Sequence, residues 1–322
     1  MKRKNLMTTV IVFVFAVSIV VGGFMILKSP THTNTGDTDF DRKTITVDGV
    51  EYFPRQDIST FLILGIDKNG VVESSHSYRN DRNADVIMLM ILDENNETYD
   101  VLCLNRDTMT QMEVLGLGGV KAGKAKQQLA LAHTYGTGLE DSSEHMKETV
   151  SSLLNNILID NYITMNMDGI EIVTDSLGGV EVNVTDDFSK FDSSIKLGKQ
   201  LLTGKQAAEF VRVRKDMGDQ LNSSRMLRQK EYLKGLEKAF KDKSEIDEKV
   251  LKNVYDQLSS YMVTDCSLTK LSSLVDKYIN YELDEIIIPD GEYKKGHTYL
   301  EYYLDEEKFN KMIIELLYAK KK

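Results

Sequence analysis

The sequence predicts an α/β layered domain whose sheet is covered on both faces. Three observations carry that prediction. Short apolar runs bounded by polar or Gly/Asp turns alternate with longer segments of helical periodicity, as strands interleaved with helices do. The runs FLILGID and VIMLMILD are apolar almost without a break, the mark of strands buried on both sides. At 322 residues, with 41% hydrophobic, 28% charged and only 3 prolines, the chain can fill a sizeable core and lacks the composition of a disordered one.

The first element in order is not part of that domain. Leu6 to Leu27 is a run of 22 residues without a charge, and a bilayer core needs roughly 20 helical residues to cross it. Lys2, Arg3 and Lys4 precede it and Lys28 follows, so the positive-inside bias puts the N-terminus in the cytoplasm and the rest outside the cell. A signal peptide has a shorter apolar run and an A-x-A-like cleavage site, neither of which is seen, so an uncleaved anchor is expected. The polar stretch SPTHTNTGDTDFDRK reads as a short tether. Strands are expected at Phe61–Ile66, Val86–Leu92, Val101–Leu104, Tyr162–Met167, Val180–Val184 and Ile286–Ile288. Helices are expected at Lys126–Tyr135, Ser143–Ile157, Lys205–Val213, Asn222–Phe240, Ile246–Tyr261, Leu268–Ile279 and Glu306–Leu317. The segments divide into a cytoplasmic tip (1–5), an anchor (6–27), an extracellular tether and lead-in (28–55), a core (56–242) and a C-terminal α/β extension packed on it (243–322).

Charge and cysteines exclude several function classes. The formal charge is −10, and beyond residue 30 the chain carries 36 bases against 50 acids, which argues against a nucleic-acid binder. Cys103 and Cys266 are far apart, no C-x-x-C or Cys/His cluster occurs, and zinc is not expected. Walker A, G-x-S-x-G, H-E-x-x-H and G-x-G-x-x-G motifs are absent.

What remains is acids and arginines at strand ends. LILGID runs into Asp67, Asp85 opens VIMLMIL, and VLCLN ends in Arg106-Asp107-Thr108. Ligand crevices of α/β sheets lie outside strand ends. A carboxylate pair without histidines suits a hard ion such as Mg²⁺, although a strand-end Asp also caps turns. The block EFVRVRKDMGDQLNSSRMLRQ packs Arg212, Arg214, Arg225 and Arg228 with Asp219 and Gln229. Arg225 and Arg228 fall three apart on the first turn of a helix. Cations there oppose the helix dipole unless an anion such as phosphate docks between them. The alternative is a solvated basic face.

In this order, LILGID, RNADVIML, LNRDTM, SLGGVEV and FVRVR…D…SSRMLRQ resemble the LytR-CpsA-Psr (LCP) family, over roughly residues 60–235. The resemblance implies a three-layer α/β/α sandwich with a central mixed sheet, and residues 56–242 as the LCP-like catalytic core. It implies a phosphotransferase of Gram-positive envelopes, which moves a glycopolymer such as teichoic acid or capsule from an undecaprenyl-pyrophosphate carrier to a peptidoglycan hydroxyl. A hydrophobic tunnel would hold the prenyl chain. Asp67 and Asp85 would ligate Mg²⁺ (or Mn²⁺). Arg82, Arg106, Arg212, Arg214, Arg225, Arg228 and Gln229 would surround the pyrophosphate, with Asp219 or Asp107 as general base beside Arg106. Partners would be the lipid-linked glycan, peptidoglycan and the membrane. Three positions depart from the family pattern: Asn83 where many members have Arg, with Arg82 one step back; Asn105 for a Pro; and Gln128-Leu129-Ala130 for Lys-x-Asn, with His133 nearby as a replacement polar group. The alternatives are a non-catalytic polyprenyl-phosphate-binding or scaffolding protein, and a lipid-pyrophosphate hydrolase.

Overall fold

Two short strands, β1 (Ile45–Val47) and β2 (Val50–Pro54), lead into β3 (Ile58–Ile66), β4 (Ala84–Asp93) and β5 (Thr98–Cys103), an antiparallel meander. Alternate residues of a strand leave opposite faces. Here Phe61, Met88 and Met90 enter one core while Leu62, Leu64, Ile87 and Leu89 enter another, which is why these runs are continuously apolar. These coordinates come from a computed structural model, which describes residues 44–213, 222–244, 250–278, 280–297 and 299–321. The expected tip, anchor and residues 28–43 of the tether and lead-in lie outside the described residues, while 44–55 carry β1 and β2; among the described residues no helix is long and apolar enough to cross a membrane.

A hairpin of β6 (Met109–Leu115) and β7 (Lys121–Gln128) runs into a 3-10 segment, Leu129–Thr134. Then follow α1 (Glu140–Leu153), β8 (Asn161–Asn166), α2 (Asp168–Ser176), β9 (Val180–Val184) and β10 (Gly198–Leu202). Helix α3 (Gly204–Arg212) starts at a capping box of Thr203 and Gln206. The rest comprises α4 (Asn222–Ser244), α5 (Val250–Leu258), β11 (Met262–Thr264), α6 (Leu268–Tyr278), β12 (Glu282–Ile287), β13 (Gly291–Lys295), β14 (Leu300–Leu304), α7 (Glu306–Leu317) and β15 (Tyr318–Lys320).

The central sheet has the order β11–β8–β3–β4–β5–β12 and is mixed, with β8 parallel to β3 and β12 parallel to β5. Helices α2 to α6 pack on one face and α1 and α7 on the other, so helices cover both sides. Residues past 243 supply both edge strands, β11 and β12.

Short strands β1, β2, β6, β10, β11 and β15 add to those expected, and two further departures lie near the site. The helix expected at Lys126–Tyr135 is the end of β7 plus the 3-10 segment. Gln127 and Gln128 are held in the ladder opposite Thr110 and Met109, and the amides of Leu129 and Ala130 donate to Thr108 O and Arg106 O at 2.8 and 2.9 Å. Backbone donors spent outward on a neighbouring loop are not available for a helix. The paired strands β13 and β14 fall where no strand is expected, and their three tyrosines and two lysines replace the aliphatic alternation that marks a core strand. Cys103 and Cys266 are both buried free thiols, each pushed up to about 12 by burial, so neither serves as a nucleophile.

Candidate active site

The site begins with an irregularity between β3 and β4. Gly65 pairs with Val86 and Ile66 with Ala84, so Asp85 is the extra residue of a β-bulge. A bulge re-aims the side chain it carries, and here it aims Asp85 at two arginines. Gly65 belongs to the same device, since a Cβ there would lie 2.9 Å from Val86 Cβ, inside contact distance. The glycine of L-x-G-x-D is therefore set by the close approach of the bulged strand.

Asp85 Oδ1 accepts from Arg106 Nη1, and Oδ2 accepts from Arg225 Nη1 at 2.6 Å. Arg225 Nη2 also reaches the Asp85 carbonyl at 3.3 Å. All three groups are withdrawn from water: the side chains of Asp85, Arg106 and Arg225 are 11%, 15% and 4% exposed. Arg106 lies three residues past the end of β5 and Arg225 is in the first turn of α4, so the cluster sits where the sheet meets the start of a helix, as the strand-end argument requires.

Arg106 Nε is buried, and among the described residues it has no hydrogen-bond partner; Asp107 Oδ1, at 3.7 Å, is too far. Thr108 Oγ1, in the same loop, is also buried without a partner. Farther along the connected backbone, Arg82 Nε and His133 Nε2 are in the same state. Unsatisfied buried polar atoms are few in native folds. Of the six such atoms among the described residues, two lie in the Arg106–Thr108 loop beside Asp85.

Asp107 is buried. Its Oδ1 accepts from Gln128 Nε2 at 3.2 Å, and Gln128 Nε2 also donates to Leu300 O at 2.8 Å. Gln128 thus stays in the polar shell although it departs from the family's lysine. Asp67 is half-exposed and pairs loosely with Arg212 at 3.6 Å. The other arginines are placed differently. Arg228 is fully engaged below the cluster: Nε donates to Phe210 O at 2.9 Å, Nη1 to Asp186 at 2.6 Å and Nη2 to Val213 O. It satisfies carbonyls at the C-terminal end of α3, the role a cation takes at that dipole. Three residues along a helix shift it by about 4.5 Å and about 60°, enough to set it against the end of α3 rather than Asp85. Arg82 donates from Nη1 to Glu73 O at 2.5 Å and makes no ion pair with Asp67, Asp85 or Asp107 among the described residues. His133 Nδ1 meets the Arg82 carbonyl at 2.9 Å, and burial lowers the imidazole to about 4, so it is neutral and holds the loop. Arg214 and Asp219 lie outside the described residues.

Beside the cluster is a cavity of about 110 Å³ between the sheet and helices α2 and α4. Ile63, Val86, Met88, Met165, Val173 and Leu236 are among its apolar walls. Gln229, whose Nε2 donates to Val211 O at 3.3 Å, and Asn166 are its polar members. Val86 follows Asp85 directly, so apolar slot and charged cluster adjoin. On α4 the residues Arg225, Gln229, Tyr232, Leu233 and Leu236 repeat at helical spacing on one stripe, charged at the site and apolar along the slot. That stripe was readable in the sequence; the slot, made by tertiary packing of methionines and valines, was not.

A sequence profile described as the LytR_cpsA_psr family matches residues 23–316. The chain belongs to the LytR_cpsA_psr family. It is 27% identical over 290 residues, 87% of this chain and 81% of the other, to a protein of Oceanobacillus iheyensis named polyisoprenyl-teichoic acid--peptidoglycan teichoic acid transferase TagU. It is 26% identical over 320 residues to the TagV protein of Bacillus subtilis, covering 94% of this chain and 75% of that one. Among solved structures, TagT bound to LIIa-WTA superposes with a TM-score of 0.59 at 23% identity, covering 81% of this chain and 90% of that one. The crystal structure of B. subtilis TagV gives 0.58 at 24% identity, covering 81% and 97%. At these identities the superpositions show that this LytR_cpsA_psr chain shares their mixed α/β fold.

Proposed function

We propose that the chain is a glycopolymer transferase of the cell envelope, moving a teichoic-acid-like polymer from a polyprenyl-pyrophosphate carrier to a peptidoglycan hydroxyl. One observation carries this reading: two buried guanidinium groups, held on one bulge carboxylate, adjoin an apolar slot. That pairing matches a ligand with a pyrophosphate head and a hydrocarbon tail.

In this reading Arg106 and Arg225 bind and orient the pyrophosphate, with the free Nε of Arg106 and Thr108 Oγ1 as further contacts. Phosphoryl transfer leaves the protein mostly positioning and charge stabilisation to do. The acceptor oxygen forms a bond to the glycan-bearing phosphorus, the bond from that phosphorus to the lipid phosphate breaks, and Asp107 or Asp219 takes the hydroxyl proton. Products are a phosphodiester-linked polymer and a lipid monophosphate. Asp67 and Asp85 suit Mg²⁺. Asp67 is half-exposed with only a loose ion pair, each oxygen of Asp85 keeps a second lone pair, and Mg²⁺ is commonly held by one or two carboxylates plus substrate phosphate. When bound, the ion would neutralise phosphate charge as the bond breaks. Among the described residues no group of three or more His, Cys, Asp or Glu side chains forms a metal site.

The slot is smaller than the roughly 150 Å³ that accepts one benzene ring, so a prenyl chain enters only as α2 and α4 part from the sheet. Leu6–Leu27 would anchor the chain with this domain outside, where a lipid-linked donor lies in reach. The test uses the full chain in detergent with a lipid-pyrophosphate-linked saccharide, uncross-linked peptidoglycan and Mg²⁺, read by mass spectrometry. Linked product, lost in Arg106→Ala, supports the reading. Free polymer phosphate without linked product identifies a hydrolase, and bound lipid without turnover identifies a binding protein.

A further inference from the structure

We propose that the β13–β14 hairpin, with the adjoining face of β7, is the surface that receives the acceptor: a peptidoglycan glycan strand bearing its stem-peptide carboxylates. The inference rests on the transferase reading above and says where the acceptor lies.

The first argument is order across the sheet. The slot is lined from β8, β3 and β4, the arginine cluster lies at the ends of β4 and β5, and the β13–β14 hairpin follows β12 beyond them. With the prenyl chain in the slot, the leaving lipid phosphate is on the slot side. Attacking and leaving oxygens are roughly in line at the transferred phosphorus. The acceptor hydroxyl therefore arrives from the opposite side, over Asp107, where the hairpin stands.

The second argument is attachment. Tyr302 N donates to Asp107 O at 2.9 Å, Asn105 Nδ2 to Tyr293 Oη at 2.8 Å, and Gln128 Nε2 bridges Asp107 and Leu300. The hairpin is thus fastened to the loop that carries a candidate base, and anything lying on it is registered against that base.

The third is surface chemistry. Residues 121–128 and 291–304 carry five lysines against two glutamates, in a chain of net charge −10; Lys294 is paired with Glu292 at 2.6 Å and Lys124 with Glu113 at 3.3 Å, which leaves Lys121, Lys126 and Lys295 to meet an anion. Lys126 and Lys294 flank the ring of Tyr303 at 5.1 and 5.0 Å, while Lys295 is exposed. Tyr299 and Leu300 at the tip are 70% and 44% exposed. Phenol rings stack on the apolar faces of sugars and ammonium groups pair with carboxylates, so this is a platform for an anionic glycan. The donor's own polymer is a less suitable occupant, because it leaves the phosphorus sideways to the line of attack.

The test uses the full chain with the triple variant Lys126→Ala/Lys295→Ala/Tyr299→Ala, whose side chains touch none of the cluster. The acceptor KM should rise about tenfold, equivalent to about 1.4 kcal/mol. The donor KM, kcat and melting temperature should stay within twofold or 2 °C of wild type, and Lys126→Arg/Lys295→Arg with Tyr299 intact should restore the acceptor KM. An unchanged acceptor KM overturns the proposal, and a rise confined to the donor KM assigns the platform to the donor polymer instead. A second arm needs no turnover: wild type should bind soluble uncross-linked glycan strands more tightly than strands stripped of stem peptides, and the triple variant should not distinguish them. If wild type transfers nothing, the transferase reading fails on its own, while equal binding of both strands by wild type overturns the platform.

Discussion

Replacing Asp85 by Ala should destabilise the domain far more than its single carboxylate suggests. Its oxygens hold Arg106 and Arg225, and the pair with Arg225 is nearly dry: 2.6 Å long, with side chains 11% and 4% exposed. Removing one member of a buried pair costs on the order of 3–5 kcal/mol, because the remaining charge is left uncompensated. In Asp85→Ala two guanidinium groups would also face each other. For a domain of this size the melting temperature should fall by on the order of 10 °C. Removing Arg225 as well takes away one of the stranded charges. The double variant Asp85→Ala/Arg225→Ala should therefore be less destabilised than the two singles added, with a coupling of about 2 kcal/mol. Thermal denaturation of the four proteins by circular dichroism at low salt measures this. Inorganic pyrophosphate gives a third comparison: it should raise the melting temperature of Asp85→Asn more than that of wild type, since the variant's guanidinium groups lack their carboxylate. Strictly additive singles, or an Asp85→Ala variant melting within 2 °C of wild type, would refute the reasoning. Equal pyrophosphate shifts in both proteins would deny that these arginines form an anion site.

Further predictions concern the bulge, the slot, the base and a remote acid. Gly65→Val should cost roughly 1–3 kcal/mol by overpacking against Val86, seen as a lowered melting temperature. Val173→Trp should block the slot, abolishing co-purification of polyprenyl phosphate measured by mass spectrometry while costing no more than about 3 kcal/mol of stability. Asp107→Asn should lower kcat for transfer by about 10²–10⁴ without changing donor binding if Asp107 is the base; an unchanged kcat moves that role to Asp219. Asp100, raised to about 6 by burial and then by Asp284 and Glu285, binds its proton more tightly folded than unfolded. Its contribution to stability is therefore full below about pH 4 and is lost as pH rises through about 6. Asp100→Asn should melt higher than wild type at pH 7.5 and show no advantage at pH 4, which paired melts at the two pH values would check.

The parts of the molecule legible in the sequence are those where one local pattern meets one physical demand. Strands β3 and β4 are buried on both faces by side chains that are almost all aliphatic, methionine or Phe61, so their composition announces them. Asp67, Asp85 and Arg106 could be placed because strand ends are where polar residues must appear. Arg225 and Arg228 show where this reasoning stops. Both open α4 and both are buried, yet one reaches Asp85 and the other the end of α3, and only the rotation of the helix decides between them. Composition could not separate a guanidinium aimed at a ligand from one that satisfies a neighbour's carbonyls. The segment before the 3-10 turn failed for a related reason: KAKQQLALAH has helical residues, but its amides are claimed by Thr108 and Arg106, a contact invisible before the fold exists.

The arginines gain from being paired before any substrate arrives. A guanidinium buried without a partner would be very costly, and one left in solvent would have to be dehydrated during binding. Asp85 avoids both: it holds Arg106 and Arg225 in a dry site, so an arriving phosphate meets donors whose dehydration has already been compensated during folding. The same helix then couples head to tail. Arg225 and Gln229 sit on one stripe with Tyr232, Leu233 and Leu236, which wall the slot, so a parting of α4 wide enough for the proposed prenyl chain would also move the Arg225 guanidinium. A short lipid tail that fails to part the helix would leave Arg225 on Asp85. Tail length should consequently affect kcat as well as KM, because part of the binding energy of the tail is used to reposition a group at the phosphorus.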